Sequence, residues 1–210
     1  MKTFAVPALA AALLLSGCAT GPADQPHNTA PSSGGLDTIA APGEVEGQGT
    51  VIQIGDANPQ FCLGPIAESY PPQCTGPEID GWDWGAVENT FEISGDVTWG
   101  AYVVSGTWDG SRLGLTSAMT LALYDPMPIV DPLLDPDNAG DTDPAELDRI
   151  RTELDEAAPF TVLTSSIENG YLFLRVIYDD GTIQAWADET YLPDAVAVRP
   201  ALRDIGDTTS

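Results

Sequence analysis

The sequence predicts an α+β fold, in which a small disulfide-closed β-barrel or sandwich-like domain is followed by a small α/β domain. Three observations predict it. Residues 44–124 carry β-branched runs separated by Gly and Pro. Cys62 and Cys74 stand as a close pair inside that stretch. An amphipathic helix pattern at 144–157 is followed by the apolar run Tyr171-Leu-Phe-Leu-Arg-Val-Ile-Tyr178.

The elements follow in order. Gly49-Thr-Val-Ile-Gln-Ile54 reads as a strand. Gly100-Ala-Tyr-Val-Val-Ser-Gly106 and Arg112-Leu-Gly-Leu-Thr116 flank Trp108-Asp109-Gly110. Asp-Gly between apolar runs is a hairpin signal, because Gly accepts positive φ. About 80 residues make a thin core, where a disulfide helps most. Residues 125–143, with Asp125-Pro126, Asp131-Pro132 and Asp135-Pro136, read as an acidic Pro-rich linker. Asp143 is placed to cap a helix with Pro144 at its first position. Leu147, Ile150, Leu154 and Ala157 then share one face. The 171–178 run is apolar on both faces except at Arg175, as in a central strand. Thr182–Tyr191 fits either a hairpin turned by Asp179-Asp180-Gly181 or a helix. The spacing of Ile183, Trp186, Ala187 and Tyr191 favours the helix. Ala195-Val-Ala-Val-Arg199 closes the α/β unit, which runs over 144–206 before a short tail at 207–210.

The start of the chain reads as an address. Met1-Lys2 precedes the apolar run Phe4–Leu15, too short to span a bilayer, which takes about 20 residues. Leu15-Ser16-Gly17-Cys18 follows and resembles the bacterial lipobox. The resemblance implies a signal peptide at 1–17, cleavage after Gly17 and a lipid such as palmitate on Cys18. Residues 18–43 then form the lipidated Cys and a flexible tether, and the chain sits on the extracytoplasmic face of the cell membrane. In an oxidising compartment Cys62 and Cys74 read as a disulfide.

Composition narrows the function. Seven Lys and Arg stand against 32 Asp and Glu, a formal net charge of −25. Such a surface repels nucleic acid. The single His, His27, lies in the tether and the single Lys is Lys2. The folded part therefore lacks Ser-His-Asp, Cys-His and lysine Schiff-base chemistry, and no phosphate-binding glycine loop is present.

Cys62-Leu-Gly-Pro65, Ser69-Tyr-Pro-Pro-Gln-Cys74, Gly81-Trp82-Asp83-Trp84 and Gly106-Thr-Trp108-Asp-Gly110 resemble a family of uncharacterised exported proteins and lipoproteins of high-GC Gram-positive bacteria. The resemblance covers roughly residues 47–117. It implies a Gram-positive envelope and two domains, and brings no catalytic residue.

Two constellations could carry a ligand. Asp135, Asp137, Asp141, Asp143 and Glu146 follow the spacing of a calcium loop with Gly140 at its turn, but Ala139 stands where an oxygen ligand belongs. An acidic linker is the plain alternative, and no other cofactor is implied. The aromatics Tyr70, Trp82, Trp84, Trp99, Tyr102 and Trp108 concentrate in the β-rich part, and Trp82 and Trp84, spaced by two, would share one face of a strand. Trp82, Trp84, Trp99 and Trp108 could stack on sugars, or fill a small barrel. The expectation is a non-catalytic binding or scaffolding lipoprotein, meeting an envelope protein or cell-wall glycan. The alternatives are a dedicated glycan-binding protein or a hydrolase using carboxylates such as Asp80, Asp83 and Glu68.

Overall fold

A computed structural model describes residues 35–125 and 130–206. The signal segment, Cys18, His27 and most of the tether lie outside the described residues, as does the tail. The described residues form one unit, a mixture of α-helix and, mostly, β-sheet. No helix among the described residues is long and apolar enough to cross a membrane.

In chain order the elements are β1 (Glu44–Ile54), β2 (Gln60–Cys62), β3 (Glu78–Asp80), β4 (Glu92–Ser94), β5 (Val97–Trp108) and β6 (Arg112–Thr120). Helix α1 (Pro144–Ala157), β7 (Val162–Glu168), β8 (Tyr171–Val176), helix α2 (Thr182–Thr190), β9 (Val196–Pro200) and β10 (Arg203–Asp204) follow. The larger sheet has the order β10-β1-β2-β3-β6-β5-β4, and β1 also pairs with β5. The pairings β1–β2–β3–β6–β5–β1 thus run in a ring, antiparallel except for β3 with β6.

The ring depends on glycine. Along their inner faces β1 alternates Val45, Gly47, Gly49 and Val51, and β5 alternates Gly100, Tyr102, Val104, Gly106 and Trp108. A Cβ at Gly49 would lie 2.3 Å from the Cys62 carbonyl oxygen, and one at Gly106 2.2 Å from that of Gly114. Only glycine lets the neighbouring backbones come so close, and a register shift between Ser105 and Gly106 marks the bend. Phe61, Ile79, Tyr102, Val104, Trp108 and Leu113 fill the interior.

The C-terminal residues return to this core. Ala201 and Leu202 donate backbone N–H groups to the carbonyls of Val176 and Ile177, and β10 then pairs with β1. Leu202 is fully buried, among the same residues as Phe61 and Tyr102. Tyr178 joins them, its O–H donating to the Asp204 carboxylate at 3.2 Å.

The smaller sheet has the order β7-β8-β9, antiparallel then parallel. Helices α1 and α2 cover one face, burying Leu147, Ile150, Leu154, Ile183 and Ala187 against Leu172, Leu174 and Val198. Asp143 caps α1 through the Ala145 N–H, with Pro144 in the first turn. Ala157, on the expected apolar face, is exposed at the helix end. Asp179-Asp180-Gly181 starts α2 rather than a hairpin: Asp179 and Asp180 accept from the N–H groups of Ile183 and Thr182. The Gln184 side chain meets the outer edge of β9, donating to the Val196 carbonyl and accepting from the Val198 N–H, both at 2.9 Å.

The stretch expected as a linker is docked where it is described. Asp131 and Asp135 each cap a short 3-10 turn that begins with the following proline. Asn169 donates to the carbonyls of Leu133 and Asp135, and Tyr171 to that of Asn138. Asp-Pro here marks turn starts, for the same reason it marks the start of α1.

Two outcomes are expected. Leu202→Ala removes a buried side chain packed beside Gly47, and chemical denaturation will show a loss of about 2–4 kcal/mol. Burial first, and then the charge of Asp204, push the Tyr178 hydroxyl up to about 12 from its ordinary 10.0. The folded chain therefore holds this proton more tightly than the unfolded chain. The stability it adds is complete below pH 10 and is lost as pH rises from 10 to about 12, a drop of order 2 kcal/mol. Tyr178→Phe will flatten that decline in melting curves taken across the interval.

Candidate functional site

The outer face of the ring carries a second, smaller cluster. Because side chains alternate along a strand, Ile52 faces away from Val51, and Val97 and Trp99 face away from Tyr102. Ile52, Val97 and Trp99 are nonetheless buried, because the segment between β2 and β3 folds over them. The disulfide Cys62–Cys74, with Cα atoms 5.9 Å apart, closes that segment and packs in the cluster. The flap it defines is also held by the Ala67 N–H donating to the Gln73 carbonyl at 2.9 Å, and by the Ser69 hydroxyl donating to the Pro71 carbonyl at 2.8 Å. The Tyr70–Pro71 peptide is cis.

A cleft of about 320 Å³ opens where the flap meets β4 and β5, lined by Thr50, Pro72, Thr90, Phe91, Glu92 and Trp99. Tyr70 stands at its rim, 72% exposed. Its ring meets Trp99 edge-on, with centroids 5.4 Å apart, and its O–H points to Glu92 Oε2 at 3.5 Å. Aromatic and prolyl walls with one carboxylate, and no Lys or Arg in the lining, make a contact surface for a polar or cationic group. The lining offers no nucleophile paired with a base. The Thr90 hydroxyl donates to the Val87 carbonyl at 2.7 Å and lies 3.0 Å from the Tyr102 hydroxyl.

Of the four expected stacking residues, only Trp99 reaches this cleft. Trp82 and Trp84 do not share a strand face. Trp84 opens a 3-10 turn capped by Asp83, and the two rings meet edge-on at 5.3 Å over Tyr102. Trp84 Nε1 donates to Gln53 Oε1. Trp108 is buried in the ring interior, and neither its indole N–H nor that of Trp82 has a hydrogen-bond partner. A small ring needs large side chains to fill it, and three of the four tryptophans serve that end.

The calcium-loop carboxylates are not brought together. Asp135 and Asp143 cap helical turns, Asp137 and Asp141 lie exposed, and Glu146 pairs with Arg149 at 2.8 Å. Among the described residues, no group of three or more His, Cys, Asp or Glu converges as a metal set. The carboxylates considered for hydrolysis also have other partners or settings. Asp80 and Glu78 both pair with Arg112, Asp83 caps the turn at Trp84, and Glu68 sits exposed on the flap. Among the described residues three carboxyls are held below their ordinary values: Asp131 by the hydrogen bond from Arg199, Glu146 by that from Arg149, and Asp109 by the N–H groups of Arg112 and Ser111.

Phe91, Glu92 and Pro72 were not singled out by the sequence. Pro72 stands in the Ser69–Cys74 motif, but Phe91 immediately precedes, and Glu92 opens, a three-residue edge strand with no periodic signal. Comparison with known protein families, characterised proteins and solved structures finds no match for this chain.

Cys62→Ala with Cys74→Ala frees a closed loop, for which chain entropy gives a loss of about 3 kcal/mol. Denaturation will register that loss, and limited proteolysis will cut first within residues 63–73.

Proposed function

We propose that this chain is an envelope lipoprotein, anchored to the cell membrane through Cys18 and carrying a non-catalytic binding or scaffolding module on the extracytoplasmic side. One observation carries the reading: a lipobox cysteine and a Cys62–Cys74 disulfide occur in one chain. The disulfide needs the oxidising compartment to which the lipobox directs the chain. The family resemblance over residues 47–117 points the same way.

The ring is read further as a closed five-stranded barrel. Some five-stranded barrels present the face of their second and third strands to oligosaccharides or nucleic acid. Here β3 carries Glu78 and Asp80 on its outer side, joined by ion pairs to Arg112 of β6. Its acidity, with the charge of −25, disfavours nucleic acid. The flap cleft is the better contact surface, because Tyr70 and Trp99 offer rings beside a carboxylate.

Metabolic labelling with palmitate tests the anchor. The wild-type chain will take up label and sediment with membranes, whereas Cys18→Ser will do neither. Label retained by Cys18→Ser, or a wild-type chain released as soluble protein, would refute the reading.

A further inference from the structure

The flap cleft joins side chains from separate stretches of the chain. Pro72 comes from the flap, with Tyr70 at the rim. Phe91 and Glu92 stand at the start of β4, and Trp99 lies on β5. The walls are fixed by their own packing. Trp99 is 8% exposed and packs with Ile52, Val97 and the Cys62–Cys74 disulfide. The Phe91 ring meets Trp84 edge-on, with centroids 5.1 Å apart, and Tyr70 meets Trp99 at 5.4 Å. A ligand that enters between fixed walls orders little of the protein.

Glu92 differs from three other carboxylates of the same sheet. Glu78 and Asp80 pair with Arg112, and Glu46 accepts from the Tyr124 hydroxyl at 2.9 Å and from Ser105 at 3.4 Å. Glu92 has no ion pair among the described residues. Its bond from the Tyr70 hydroxyl, at 3.5 Å, is beyond the usual range for O–H donors. From residue 35 to residue 111 the sequence has no Lys, Arg or His. The segments that build the cleft therefore bring no cation of their own to this carboxylate.

A carboxylate among rings selects its ligand by charge and by shape. An inorganic cation would use the charge but not the rings. A neutral sugar offers many hydroxyls, and the lining meets them with few free polar groups, since the Thr90 hydroxyl is engaged by Val87 and Tyr102. A guanidinium uses both features. Its planar, weakly hydrated face lies against aromatic walls while its edge donates to a carboxylate. A volume of about 320 Å³ is at the small end of ligand pockets, about 300–1,000 Å³. It holds one long side chain.

We propose that the flap cleft receives the guanidinium of an arginine side chain on a partner polypeptide, with Glu92 as counter-ion and Tyr70 and Trp99 as walls. The inference rests on the reading of this cleft as the contact surface of a binding module. Free arginine is a poorer occupant, because no cation in the lining meets its α-carboxylate. The net charge of −25 also draws a basic partner toward the chain. The disulfide gains a role in binding, since it holds the flap that carries Tyr70 and Pro72 against β5.

Isothermal titration of the full chain in detergent micelles with an end-blocked Gly-Gly-Arg-Gly-Gly peptide tests this. Saturable binding is expected, severalfold weaker with Lys in place of Arg and absent with Gln. Glu92→Gln will weaken it about tenfold or more, and Tyr70→Ala severalfold. Both side chains are exposed, so neither change opens the core. Cys62→Ala with Cys74→Ala will also weaken binding. Glu156→Gln, which removes the same charge from α1, will leave it unchanged. Absence of saturable binding would overturn the proposal, as would equal losses from Glu92→Gln and Glu156→Gln, the mark of a general attraction to an acidic surface. Free arginine bound as tightly as the peptide would overturn the polypeptide partner. Binding of an N-acetylglucosamine oligomer instead of the peptide would overturn the arginine assignment while leaving the binding-module reading in place.

Discussion

The pairing of β1 with β5 over eleven residues, Glu44 to Ile54 against Thr107 to Val97, is the constraint on which the other parts rest. It makes β1 a three-way strand, bonded also to β2 at one end and to β10 at the other. A flat pair of this length would expose both faces. Glycines on the inner rows let the pair bend tightly enough for β2, β3 and β6 to complete the ring. The bend sorts the side chains: Val45, Val51, Tyr102 and Val104 turn inward, and Ile52, Val97 and Trp99 turn outward. The outward set would be a sticky patch without the disulfide-closed flap. The cleft is the seam where this cover ends.

Acidic residues organise the surface as well as charging it. Asp83, Asp131, Asp135 and Asp143 each accept a backbone N–H at the start of a helical turn, and Asp179 does so for α2. A short carboxylate is well suited to that position, where unpaired N–H groups and the positive end of the turn coincide. Part of the negative charge therefore has local structural work, which is why the spacing of a calcium loop arises at 135–146 without a converging set of ligands.

Local features were legible in the sequence and distant ones were not. The helix over 144–157 announced itself through Asp143, Pro144 and the spacing of Leu147, Ile150 and Leu154. The helix at 182–190 was readable from Ile183 and Ala187. Cys62 and Cys74 were readable as a pair because they are close in sequence and even in number once Cys18 is assigned to the expected lipid anchor. The return of Ala201 and Leu202 to the first core left no such trace, because a strand pairing across more than 150 residues has no periodic signature. Trp82 and Trp84 misled for a related reason. Their spacing of two suits a strand, but Asp83 between them caps a turn and swings both rings over Tyr102. The cleft was half visible: Tyr70 and Trp99 stood out as aromatics, whereas Glu92 is one acid among 32.

The Gln184 amide on the outer edge of β9 bears on how copies of this chain behave together. An open strand edge offers alternating donors and acceptors that another chain can continue, which is a route to aggregation. One side-chain amide, presenting an acceptor and a donor as a neighbouring strand would, occupies the Val196 carbonyl and the Val198 N–H. Lipid anchoring would confine many copies to a plane and raise their encounter rate. In such a layer the β9 edge, already met by its own glutamine, gives an adjacent copy no free carbonyl at Val196 or N–H at Val198 to pair with.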